Sequence, residues 1–102
     1  MMIARLWHGR TTIDDYEEYT RFMIERAIPD YEKTDGFVKL SFIRNIKEDA
    51  GHFLLITYWE NIDVIKKFSG EDYEKAKYYP EDKKYLLEFE KNVIHYEVFG
   101  ER

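Results

Sequence analysis

The segment Phe53–Trp59, FLLITYW, is apolar on both of its faces. Side chains alternate along a strand, so Leu54, Ile56 and Tyr58 share one side while Phe53, Leu55 and Trp59 share the other. A strand with one wet face would alternate apolar and polar residues; this one demands cover on both sides. The demand falls on a chain of 102 residues. That length reads as a single domain, 1–102, able to bury about 65% of the surface its unfolded form exposes.

The remaining elements fall into a short order around this strand. Ile3–His8, ended by Gly9, reads as a first strand with Ile3, Arg5 and Trp7 on one face and Ala4, Leu6 and His8 on the other. Thr12 can cap a helix in which Ile13, Tyr16, Tyr19 or Thr20, Met23 and Ala27 recur at helical spacing, opposite Asp14, Glu17, Glu18, Arg21 and Glu25. Pro29 kinks or stops this helix near Ile28, with a further turn over Asp30–Lys33 and a left-handed stop at Gly36.

Phe37–Ile46 and His52–Trp59 are β-favouring runs, and the polar loop Lys47–Gly51 between them predicts an antiparallel hairpin. Asn61 caps a helix carrying Ile62, Ile65 and Phe68, and Gly70 ends it. Glu71–Lys77 is expected to add a turn or two. Tyr79 is pushed out of the helical region by the proline that follows, so Pro80-Glu81-Asp82 reads as a fresh helical turn. Val93–Phe99 closes the chain's last strand, with His95 and Glu97 on one face and Ile94, Tyr96 and Val98 on the other.

Strand, helix, strand, strand, helix, strand is the ferredoxin-like split βαβ order, an α+β antiparallel sheet with helices on one face. The second face then needs its own cover. Taking Phe53, Leu55 and Trp59 with Val38, Leu40 and Phe42 to line it, a second copy packing sheet to sheet is the economical solution. A homodimer is expected.

Composition removes several classes of function. A net charge of −5 and a pI near 5.2 argue against a protein that wraps a phosphate backbone. Cysteine is absent, which leaves neither disulfides nor thiolate metal ligands. The start of the chain lacks the charged and apolar regions of a leader, and no window approaches 18 uninterrupted apolar residues. A cytoplasmic protein without nucleic-acid or membrane partners is expected. Its five glycines are isolated, so no phosphate loop or dinucleotide fingerprint is present and no nucleotide cofactor is implied.

An opening strand ending WHGR, a strand LLITYW running into ENIDVIKKFSG, then EDYEKAKYYPED and a closing HYEVF together resemble the antibiotic biosynthesis monooxygenase family of dimeric α+β barrels. The resemblance runs from Ile3 to Phe99. It implies a site in a cavity between each sheet and its own helices, used in that family by cofactor-independent oxygenases of aromatic compounds, quinol oxygenases and haem degraders. Haem degraders use an Asn on the first strand, a Trp ending the third and a His on the following helical segment. Trp59 matches the Trp, whereas His8 and Lys77 fall on or near the other two positions.

His8 is the candidate general base, a strand-end imidazole able to take a phenolic proton near neutrality. Arg10 could hold an oxyanion or, more blandly, pair with Asp14 or Asp15. Trp59 could stack on a flat ligand or simply fill the core. Of Tyr78 and Tyr79, being adjacent, at most one should face a cavity. His52 is expected at an exposed hairpin edge, and His95 is a candidate polar group in the cavity or a satisfied sheet histidine. A metal site joining His8, His52 and His95 is not expected, because no local spacing supports it.

Three functions follow: a cofactor-independent monooxygenase of phenol-like or quinol-like small molecules; a non-catalytic dimeric binding or stress-response protein for a small aromatic or hydrophobic ligand; and, ranked below both, haem binding or degradation.

Overall fold

A computed structural model describes all 102 residues. β1 (Ile3–Thr12) is followed by a helical rod made of α1 (Tyr16–Phe22), a π-helical turn over Met23–Ala27 and α2 (Ile28–Glu32). Then come β2 (Phe37–Lys47), β3 (Ala50–Trp59), α3 (Ile62–Ser69), a 3-10 turn over Pro80–Lys84 and β4 (Ile94–Glu97). The strands form one antiparallel sheet in the order β2-β3-β1-β4, with helices over one face. The expected α+β ferredoxin-like fold is the observed one.

Local chemistry accounts for the junctions. Asp15 N–H donates to the Thr12 hydroxyl, 3.3 Å, although the helix itself starts at Tyr16 and leaves Ile13 outside it, 45% exposed. Before Pro29, which can donate no backbone hydrogen bond, the ladder widens: Ile28 N–H reaches back five residues to Met23 C=O. The rod thus continues past the proline instead of breaking, and Tyr19, Met23, Ala27 and Tyr31 all face the core. Asn61 Oδ1 accepts from Val64 N–H at 3.0 Å, and Gly70 ends α3 at φ 96°.

Several boundaries differ from expectation. β1 runs to Thr12, beyond His8, and the five-residue loop Lys47–Gly51 is a two-residue turn with Glu48 and Asp49 at φ 53° and 60°. That geometry fits the twist of a tight hairpin. β4 is limited to Ile94–Glu97. No helix forms over Glu71–Lys77; this segment crosses the helix side of the sheet in irregular form, with Ala76 N–H bonded to Lys91 C=O and Val93 N–H to Glu74 C=O.

The assignment of faces is a correction. Phe53, Leu55 and Trp59 lie beneath the helices, where Tyr19, Met23, Tyr31, Ile65 and Phe68 pack on them, and Leu40 and Phe42 join that core. The uncovered face carries Leu54, Ile56 and Tyr58 with Ala4, Leu6, Ile94 and Tyr96. Both sides of β3 are apolar, so alternation could not say which one the helices take.

Candidate functional site

β1 presents different chemistry on its two sides. On the uncovered side, His8 and His52 are diagonal neighbours, because His8 pairs with Leu54 and Arg10 with His52. His8 Nε2 lies 3.2 Å from His52 Nδ1, and His8 Nδ1 lies 2.5 Å from Glu90 Oε2. The carboxylate accepts only from a protonated Nδ1, which leaves Nε2 of a neutral His8 as the acceptor for His52 Nδ1–H. Arg10 pairs with Glu88 at 2.6 Å, not with Asp14 or Asp15. A groove of about 320 Å³ borders the histidines, lined also by Ile43, Arg44, Asn45, Lys47 and Leu54.

On the helix side, Arg5 is 1% exposed and has no carboxylate partner. Its Nη1 donates to Tyr73 C=O at 2.7 Å and meets His95 Nε2 at 3.0 Å, and its Nη2 reaches Lys75 C=O at 3.3 Å. Nε finds no partner. Burial lowers the Arg5 pKa. His95 is pushed down to about 4 by burial and then by the Arg5 charge, so its Nε2 is unprotonated at neutral pH and accepts from Arg5 Nη1–H. In the sequence Arg5 is one polar residue on an apolar face; the missing counter-ion is visible only once the fold surrounds it.

The other expected positions are built into the framework. Trp59 is fully buried, its Nε1–H donating to Thr57 Oγ1 at 2.8 Å and its ring packed among Tyr31, Phe37 and Phe68. It is absent from the walls of both the helix-side cavity and the groove beside His8, and these aromatics fill the interior around it. The apolar cavity on the helix side holds about 100 Å³, and Thr20, Met23, Ile24, Phe42, Phe53 and Leu55 are among its walls. Tyr78 packs edge-on against Trp7 and Phe89 and donates to Glu90 C=O, its pKa pushed up to about 12 by burial first and then by Glu90.

Tyr79 donates to Asp30 Oδ2 at 2.7 Å, beside Lys77 Nζ at 2.9 Å. Burial alone would raise the Asp30 pKa, but hydrogen bonds from Tyr79, Lys77 and Lys33 hold it at about 2. Lys77 Nζ also donates to Phe68 C=O and stands 4.0 Å over the Phe68 ring. This cluster straps the irregular 70–79 segment to α2. His8, Trp59 and the two tyrosines therefore do not converge on one site. His8 stands on the opposite face, which also separates it and His52 from His95.

The fold is that of an α+β protein with a ferredoxin-like antiparallel sheet. Two solved structures share it over their full lengths. One is a haem-degrading protein from Mycobacterium tuberculosis, solved free of haem with the protein cleaved: 14% identity, TM-score 0.68, covering 100% of this chain and 99% of that one. The other is a Bacillus cereus protein proposed to be an antibiotic biosynthesis monooxygenase: 14% identity, TM-score 0.62, covering 99% of this chain and 98% of that one. No protein-family model matches the chain, and no curated protein matches it in sequence. No helix is long and apolar enough to cross a membrane.

Proposed function

We propose that this chain is a small cytoplasmic oxygenase acting on an electron-rich aromatic molecule on the helix side of its sheet. The observation that carries the reading is Arg5, a buried guanidinium without a counter-anion. Burying an unpaired cation is unfavourable, and the cost is recovered when an anion forms beside it. A phenolate or enolate is such an anion, and Arg5 is the group that stabilises it. His95 Nε2, released as Arg5 Nη1–H turns from it to the anion, accepts the departing proton; as the new negative charge offsets that of Arg5, the imidazole becomes more basic at the moment the proton arrives.

The activated substrate carries the electrons itself. A ring CH₂ carbon takes up dioxygen and loses water to become a ring carbonyl, with no external reductant. Entry requires the 70–79 segment to lift, since the Tyr73 and Lys75 carbonyls occupy the guanidinium. The full-length likeness to the Bacillus cereus protein supports this reading. Oxygen uptake with an anthrone, whose central ring carries such a CH₂, tests it. Uptake should be abolished by Arg5→Gln and retained by His8→Ala; no uptake by the wild type, or equal uptake by Arg5→Gln, removes the proposal.

The Mycobacterium tuberculosis neighbour gives haem a secondary place. Lys77 does not supply an iron ligand, because its ammonium donates to Asp30 and Phe68 and has no lone pair. Absence of a Soret shift when haem is titrated into the protein would dismiss that alternative. A homodimer through Leu54, Ile56, Tyr58 and their neighbours on the open face belongs to the same proposal.

A further inference from the structure

The histidine pair on the uncovered face is absorbed by neither the core nor the Arg5 site. Its geometry is that of a chelate. Two metal–nitrogen bonds of about 2.0–2.1 Å spanning the 3.2 Å between His8 Nε2 and His52 Nδ1 subtend about 100°, close to tetrahedral. Both nitrogens come from adjacent strands whose register fixes their separation. The rings are tilted by 32° with centroids 5.4 Å apart, so each lone pair need swing only about 40° from the N···N line to converge on one ion.

The surroundings supply what such a ligand pair needs. Glu90 holds His8 through Nδ1, the carboxylate–histidine arrangement that orients a metal-binding imidazole. His52 Nε2 is buried and carries no hydrogen bond, so it can receive the proton when Nδ1 turns to a metal. His8 and Glu90 side chains remain 35% and 41% exposed, leaving a path for a small ion.

We propose that His8 and His52 form a binding site for a late first-row divalent ion, of which Zn²⁺ and Ni²⁺ are the natural probes. On binding, the His52 Nδ1–H···Nε2 His8 hydrogen bond is replaced by two metal–nitrogen bonds. The His52 proton passes from Nδ1 to Nε2, so the pair gains and loses no proton overall. No cluster of three or more His, Asp or Glu groups suits a metal, and the ion keeps water on its remaining positions. Those positions face the groove.

Calorimetric titration of the whole protein with zinc chloride, repeated with nickel chloride, tests the site. One ion per chain should bind to the wild type. Affinity should fall at least tenfold in His52→Ala and in His8→Ala, and roughly tenfold in Glu90→Gln, which loses orientation but no ligand. In parallel, the His8 and His52 ring signals of the wild type should shift or broaden together in NMR spectra while those of His95 do not. Absence of stoichiometric binding to the wild type, unchanged affinity in a folded His52→Ala protein, or a response at His95 in place of the pair would each overturn the proposal.

Discussion

His8 and Trp59 lie on paired strands and face away from each other, the first over the uncovered side with Leu54 and the second into the helix-covered core beside Thr57. Their substitutions should therefore have unlike effects. Trp59→Ala opens a void among Tyr31, Phe37 and Phe68 and should lower stability by about 3–5 kcal/mol. His8→Ala removes a pair with Glu90 that is more than one-third exposed, and should cost about 1 kcal/mol or less. Urea unfolding of the two variants measures the difference.

Asp30 gives the fold an acid limit. Its folded pKa of about 2 lies below the ordinary 3.8, so its stabilisation is complete above about pH 4 and is lost as pH falls towards 2. The loss should be on the order of 2 kcal/mol in wild-type protein. Asp30→Asn should be less stable at neutral pH and should lack this contribution between pH 4 and 2, as read by urea midpoints at each pH.

His95 acts in a higher window with the same sign. Its folded pKa of about 4 lies below the ordinary 6.5, so the unfolded chain takes up a proton first as pH falls. Stability should decline from about pH 6.5 to 4. His95→Gln should flatten that decline, and an NMR titration should place the ring's midpoint near 4.

Gly36 joins α2 to β2 at φ 92°, and a Cβ there would come within 2.5 Å of a Val64 methyl. Gly36→Ala combines a left-handed backbone with a clash against α3. A loss of more than about 1 kcal/mol is expected in thermal or urea unfolding.

Ile56 sits on the open face between Leu54 and Tyr58 in sequence and opposite Leu6 across the ladder. In sedimentation experiments the wild type should run as a dimer and Ile56→Glu as a folded monomer. A monomeric wild type at tens of micromolar would end the dimer proposal.

Much of the architecture was legible because local rules act over a few residues. Asn61, Gly70 and the Tyr79–Pro80 junction each fix their backbone without distant help. Faces and partners were less legible. Phe53 and Leu54 are equally apolar, and only the docking of α1, α2 and α3 decides which is buried. Glu71–Lys77 has helical composition but is held in an irregular path by Arg5, Asp30 and the 91–93 backbone, groups remote in sequence. His8 and His52 are 44 residues apart and meet through register alone.

The strand order has a kinetic consequence. β2 and β3 are joined by two residues and can zip from their turn, whereas β1 must pair with β3 and also with β4, bringing Arg5 to a histidine 90 positions away. Entropy is lost in closing so long a loop before its contacts contribute anything. Refolding should therefore proceed from an early hairpin to a late docking of β4 on β1, and Arg5 stays hydrated until that last step.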